Sequence, residues 1–193
     1  NLKKNSLIID IGSNDGTLLN EYKKLGMKVI GVEPTNMAKY ANNRGIKTIQ
    51  APFNLKIAKK IIKQNGKAKL ITATNVFAHM SSLGDVMIAI KESLDKDGFF
   101  IFENHYMVDI IKYNQYDTIY HEHIRNYSLK SLIYLFNLYN LKVIDCEVLD
   151  RYNGSIKVVV SNNKKIKPNS SVAKTLRNEK KFGLTNKKMW DKF

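Results

Sequence analysis

The chain is poor in cysteine, proline and tryptophan, in acidic residues, and in long apolar runs. One cysteine, Cys146, among 193 residues excludes an internal disulfide and a cysteine-rich zinc site. It lies in the apolar stretch 143–149, where a buried and inert thiol is expected. No run of about 18 apolar residues is present, which argues against a membrane-spanning helix, and no charged-then-apolar leader pattern opens the chain. A cytoplasmic location without a membrane partner is the resulting expectation. Asp and Glu number 17 against 32 Lys and Arg, a net charge of +15. The excess is uneven, because residues 161–193 hold ten basic and two acidic residues. Such a tail suits a nucleic-acid or membrane surface, or it is a solvated connector. Its Lys- and Asn-rich make-up favours the connector. Lys56, Lys59, Lys60 and Lys63 alternate with Leu55, Ala58, Ile61 and Ile62 at helical spacing and read as the wet face of one helix.

What is present is organised around residues 6–16. Leu7 to Ile11 is a buried-strand pattern. It runs into a loop bounded by Gly12 and Gly16, and an amphipathic helix with Leu18, Leu19 and Tyr22 follows. Strand, glycine loop and helix together make a nucleotide-type ligand cradle in α/β proteins. A dinucleotide fingerprint started at Gly12 would place Asn14 and Thr17 where glycines belong, so that reading fails. Asp10-x-Gly12-x-Asn14-x-Gly16 is instead similar to the acidic, glycine-spaced loop of S-adenosylmethionine (SAM) methyltransferases. Asn at the middle position is a mild exchange, because Asn tolerates positive φ. Asp10 and Asp15 suit a cofactor that carries an ammonium and a sulfonium. Glu33, 21 positions after Gly12 and at the end of the strand 28–32, is placed to accept ribose hydroxyls. Phe53, after Pro52, stands either as an apolar lid over an adenine ring or as plain core.

Further strands are expected at 48–50, 70–74 and 99–103, with helices between them. A helix capped by Ser128 follows, and then an antiparallel hairpin, 141–149 and 155–160, turning at Asn153-Gly154. The expected fold is α/β, Rossmann-like, with five parallel strands, a terminal antiparallel hairpin and helices on both faces. Residues 1–160 form the domain. Residues 161–193 form a basic, partly helical tail in which 170–181 can be helical and Trp190 and Phe193 await a packing partner. The strand 70–74 delivers Asn75 and His79, four apart and on one face of a turn. Three of the four histidines fall in 105–123. His105, His121 and His123 could hold a metal, but they lack an H-E-x-x-H spacing, and no metal is expected. The other reading is general base chemistry, with a tyrosine or carboxylate orienting the imidazole and managing charge on an oxygen.

Residues 10–16, Gly31-Val-Glu-Pro34, Asn75-Val-Phe-Ala-His79, Phe102-Glu103 and Asp117-Thr-Ile-Tyr-His-Glu-His123 together resemble the SAM-dependent C-methyltransferases of nucleotide-linked deoxysugar biosynthesis. The resemblance covers roughly residues 6–160. It implies a class I methyltransferase sheet with SAM as cofactor and methylation of a carbon next to a ketone on a dTDP-linked keto sugar. By resemblance His123 is the base, with Tyr120 and Glu122 assisting. Asp10, Gly12, Asn14, Gly16, Glu33, Phe53 and Asn75 would hold SAM, and Asn75, His79, Tyr106 and His121 would line the sugar side. The family also carries an N-terminal zinc module and a second α/β domain, so flanking parts of a longer protein are expected. A nucleic-acid methyltransferase, suggested by the charge, and a non-catalytic SAM-binding domain are the alternatives. Few Lys or Arg in 99–128 argue against the first.

Overall fold

In the computed structural model, residues 2–151 and 154–191 are described; Asn153 and Phe193 lie outside them. The chain begins with β1 (Leu7–Ile11), α1 (Thr17–Lys24), β2 (Lys28–Val32), α2 (Met37–Asn43), β3 (Thr48–Ile49) and α3 (Leu55–Asn65). It continues with β4 (Ala68–Thr74), α4 (Leu83–Ser93), β5 (Leu94–His105), α5 (Met107–Lys112) and α6 (Leu129–Leu138). It ends with β6 (Lys142–Leu149), β7 (Ser155–Ser161), α7 (Ser170–Phe182) and α8 (Lys187–Trp190). All seven strands join one sheet in the order β3-β2-β1-β4-β5-β7-β6. β1 to β5 pair in parallel. The hairpin enters in reverse, with β7 antiparallel to β5 and β6 at the edge.

Parallel strands covered on both sides read as continuous apolar runs, and β1 is buried at all five positions. Ile9, Ile11, Ile71, Phe100 and Phe102 face α3, α4 and α6, while Ile8 and Leu70 face Leu19 of α1 and Ala41 of α2. Phe77 stacks edge-on against Phe102 at 4.9 Å between centroids. Local chemistry ends the helices where the spacing predicts. Asn54 caps α3 through Ile57 N–H, and Ser128 caps α6 in a reciprocal box with Ser131. Lys56, Lys59, Lys60 and Lys63 are exposed along α3, and its Ala58 and Ile61 are buried. Among the described residues no helix is long and apolar enough to cross a membrane.

The tail requires a correction. The helix is there, but it is not a solvated connector. Val172, Thr175 and Glu179 of α7 are buried. The Ser171 hydroxyl donates to Asp145, and the Cys146 thiol, buried and pushed up by that burial, lies 3.4 Å from the Thr175 hydroxyl. Glu179 anchors the arrangement: its carboxylate accepts from Tyr106 OH at 3.0 Å and from the first two N–H groups of α6, Leu129 and Lys130. A carboxylate at a helix N-terminus meets orphan donors and the positive end of the dipole.

Changing Glu179→Ala strands three donors, two of them buried. The expected loss is about 2–4 kcal/mol, read in thermal melts as a Tm lower by roughly 5–12 °C; an unchanged Tm would contradict the anchoring role.

Candidate functional site

In open α/β sheets ligands settle where the strand order reverses, at the carboxyl ends. Here that point lies between β1 and β4, with β2 on the far side of β1. A cavity of about 580 Å³ opens there, and Gly12, Glu33, Phe53, Val76 and His79 are in its lining. Gly12 leaves β1 at φ +71°, and a Cβ built on it would come 2.3 Å from Val76 Cγ1. The loops after β1 and β4 are thus in contact only because position 12 has no side chain. Gly12 N–H still reaches Val32 O at 2.8 Å. Asn14 adopts φ +50°, and its N–H donates to Glu33 Oε2 at 3.0 Å, while Thr35 N–H donates to Oε1 at 2.9 Å. Glu33, 6% exposed, is therefore held by the backbone with lone pairs to spare for further donors.

Other predicted contacts sit elsewhere. Gly16 turns the chain into α1, and a Cβ there would meet Ile46, so its role is packing. Asp10 is buried on the sheet face shared with Ile8, donated to by Thr72 Oγ1 at 2.6 Å, and absent from the cavity lining. Burial, with Glu33 nearby, pushes its carboxyl up to about 7. Asp15 turns outward to Arg44 at 2.7 Å and caps Thr17, so it does not face the cavity as an acidic partner for a cation. Phe53 is buried in the core and also lines the cavity. Asn75, at φ +54°, donates its N–H to Glu103 O, and its buried Oδ1 has no partner among the described residues.

Beside the cavity lies a group of rings. His79 lines the cavity, and its ring centroid is 4.8 Å from that of His123. His105 lies 5.2 Å from His123 on another side, and Tyr120 lies 4.4 Å away. His123 Nδ1 is 2.7 Å from Thr118 O. A carbonyl only accepts, so Nδ1 carries the hydrogen and the neutral ring keeps its lone pair on Nε2. Nε2 is 3.4 Å from Tyr120 OH. His79 Nδ1 likewise donates to Glu122 O at 3.0 Å. Burial, then His123 and His79, hold His105 below the ordinary histidine range. The loop carrying His123 is sewn to the loop after β4: Ile124 N–H donates to Ala78 O, and Arg125 donates to Met80 O and Ser81 O. Among the described residues no three metal-ligand side chains converge.

Three predicted residues are not brought to this group. The Glu122 carboxylate is exposed and lies 4.0 Å from His121 Nε2; only its backbone carbonyl takes part. His121 is 89% exposed at its side chain. Tyr106 is buried with its hydroxyl on Glu179, which together with burial holds the phenol well above its ordinary range. Spacing alone cannot orient side chains in an irregular loop. Thr118 and Arg125 were missed, the first because it acts through its backbone and the second although a cation within a polar loop was visible.

The same fold recurs in solved structures. A SAM-dependent methyltransferase from Archaeoglobus fulgidus matches with TM-score 0.64 and 12% identity over 81% of this chain and 86% of its own. The Burkholderia thailandensis 1,6-didemethyltoxoflavin-N1-methyltransferase, solved with S-adenosylhomocysteine, matches with TM-score 0.62 and 14% identity over 83% and 72%. The fold is thus that of the SAM-dependent methyltransferases. The family described as "Methyltransferase domain" matches residues 1–145, and the chain belongs to it. The C-methyltransferase NovU of Streptomyces niveus is 35% identical over 187 residues, which is 95% of this chain and 44% of NovU. The chain therefore spans less than half the length of that relative.

SAM is the cofactor of this enzyme class. The donor set suits it: Gly12 leaves room that a Cβ would fill, and Glu33 presents fixed acceptors at the cavity wall.

Gly12→Ala should weaken SAM binding at least tenfold in calorimetry, because the Cβ overlaps Val76 and the φ is unsuited to alanine. Gly12→Ala with Val76→Ala should recover only part of the loss. Asp10 gives a pH signature. Its folded pKa of about 7 lies above the ordinary 3.8, so its contribution to stability is complete below about pH 4 and is lost as pH rises through about 7. Melts across that range should show the wild type losing stability relative to Asp10→Asn as pH rises; parallel curves would contradict this.

Proposed function

We propose that this chain is the catalytic domain of a C-methyltransferase acting on a carbon next to the ketone of a nucleotide-linked, dTDP-type keto-deoxysugar, with His123 as the general base. The observation that carries the reading is the fixed tautomer of His123. Thr118 O holds the Nδ1 hydrogen, and Nε2 keeps a lone pair one ring away from the cofactor cavity. A hydrogen next to a carbonyl is acidic enough for an imidazole to remove if the enolate oxygen is met by a donor. His123 Nε2 takes that proton, and the Thr118 carbonyl stabilises the resulting imidazolium. Tyr120 OH, 3.4 Å from Nε2, is placed to orient the base or to donate to the enolate oxygen. His79, lining the cavity and bonded to the opposite loop, holds the carbon between base and methyl donor. Glu33, Gly12, Asn14 and Phe53 would hold SAM, which supplies an electrophilic methyl group when bound. Asn75, whose Oδ1 has no partner among the described residues, would meet a cofactor or substrate donor. NovU, itself a C-methyltransferase, supports carbon as the acceptor.

The test uses the full-length protein, SAM and a dTDP-linked 4-keto sugar. His123→Asn should lower turnover by about 10²–10⁴-fold with SAM binding unchanged in calorimetry. In D₂O the wild type should exchange the hydrogen next to the ketone, and His123→Asn should not. Full turnover by the variant would remove His123 from the base role. SAM binding with no turnover by either protein would leave a SAM-binding domain.

A further inference from the structure

The loop that carries His123 buries little of itself. Ile119, Tyr120 and Ile124 are exposed, and so are His121 and Glu122. A stretch with so little buried apolar surface belongs to the low-stability end of a structure, so hydrogen bonds decide where it sits. Bonds within the loop, such as His123 N–H to Tyr120 O, shape it without placing it. Among the described residues, four hydrogen bonds tie 122–125 to 78–81. Ile124 N–H donates to Ala78 O, and His79 Nδ1 donates to Glu122 O. The other two come from one side chain: Arg125 Nη1 donates to Met80 O and Nη2 to Ser81 O. No carboxylate among the described residues lies within ion-pair distance of Arg125. A guanidinium is a rigid planar fork of donors, and here it spans two successive backbone carbonyls instead of an acid. Met80 and Ser81 also line the cofactor cavity. They therefore serve twice, as cavity wall and as the acceptors that hold Arg125, two residues from His123.

We propose that Arg125 is a positioning residue that couples the cofactor cavity to the base: a cofactor seated against Met80 and Ser81 fixes the carbonyls that hold Arg125, and Arg125 fixes the loop of His123. The inference rests on the reading of His123 as the base and adds to it a regulation of the same site. Arg125 acts on the chemistry only through His123. The coupling has a chemical use. An enolate formed with no methyl donor beside it can only be reprotonated, so a base set by the cofactor suppresses that idle reaction. Coupling of binding is reciprocal, so a substrate that holds the His123 loop also tightens the cofactor, and both effects should vanish together without Arg125.

NMR of the 193-residue chain with ¹⁵N-labelled histidine reads the base directly. His123→Asn identifies its signals, and S-adenosylhomocysteine is the cofactor probe. In the wild type the probe should shift and sharpen the His123 signals, with Nε2 still the unprotonated nitrogen. Arg125→Ala should bind the probe in calorimetry yet leave those signals unmoved. Arg125→Lys, which keeps the charge but not the fork, should restore part of the response. In the full-length protein, Arg125→Ala should lower kcat about 10- to 100-fold with little change in the KM for SAM. Exchange in D₂O of the hydrogen next to the ketone should be at least about fivefold faster with the probe in the wild type and equal with and without it in Arg125→Ala. No His123 response in the wild type would overturn the proposal, and needs no variant to fold. A response that survives Arg125→Ala would run through His79 and would overturn it too. The two readings fail separately. An Arg125-dependent response without methyl transfer to any keto sugar would keep the coupling and remove the reaction. Methyl transfer lost in His123→Asn but unchanged in Arg125→Ala would keep the reaction and remove the coupling.

Discussion

The missing side chain at position 12 sets the spacing of everything above the sheet. Because Gly12 carries no Cβ, Val76 packs directly against the backbone leaving β1. That contact fixes the height of the loop after β4, and therefore of His79. The loop holding His123 is bonded in turn to Ala78, Met80 and Ser81. A chain of short contacts thus leads from the glycine turn to the imidazole that carries the proposed chemistry. Parallel strands bring their carboxyl ends to one edge, but the edge alone would leave the two loops apart.

The second element is backbone control of side chains. Glu33 is held by two backbone N–H groups, and His123 and His79 by one backbone carbonyl each. Such partners cannot rotate away, so carboxylate and rings are pre-organised. His105 is held below its ordinary range by burial and by its neighbours, which favours its neutral form beside His123.

Much of this was legible in the residues. The strand 7–11, the turn at Gly12 and the position of Glu33 beside that turn were legible in spacing, because strand and turn geometry are local. That His79, His123 and Tyr120 belong together was legible through the resemblance of the motifs around them, and their rings do lie side by side. Tyr106, His121 and the Glu122 side chain were not, since orientation within an irregular loop depends on contacts distant in sequence. The tail helix was misjudged for a different reason. Two of its three buried residues, Thr175 and Glu179, are polar, and a buried polar face leaves no mark in a pattern of apolar periodicity. Asp10 shows the same limit from the other side. A carboxylate in a glycine loop suggests a cation partner, whereas Asp10 is buried against Thr72 and away from the cavity lining.

Glu179 bears on how such domains are divided and recombined. The last strand closes at Ser161, and a boundary drawn by sheet topology would fall there. Yet the carboxylate that seats the start of α6 and the Tyr106 hydroxyl arrives 18 residues later, on a helix outside the sheet. A chimera joined at the end of β7 would inherit the donors of one parent and the acceptor of another. The natural crossover lies beyond Phe182, where the helix has finished its work on the fold.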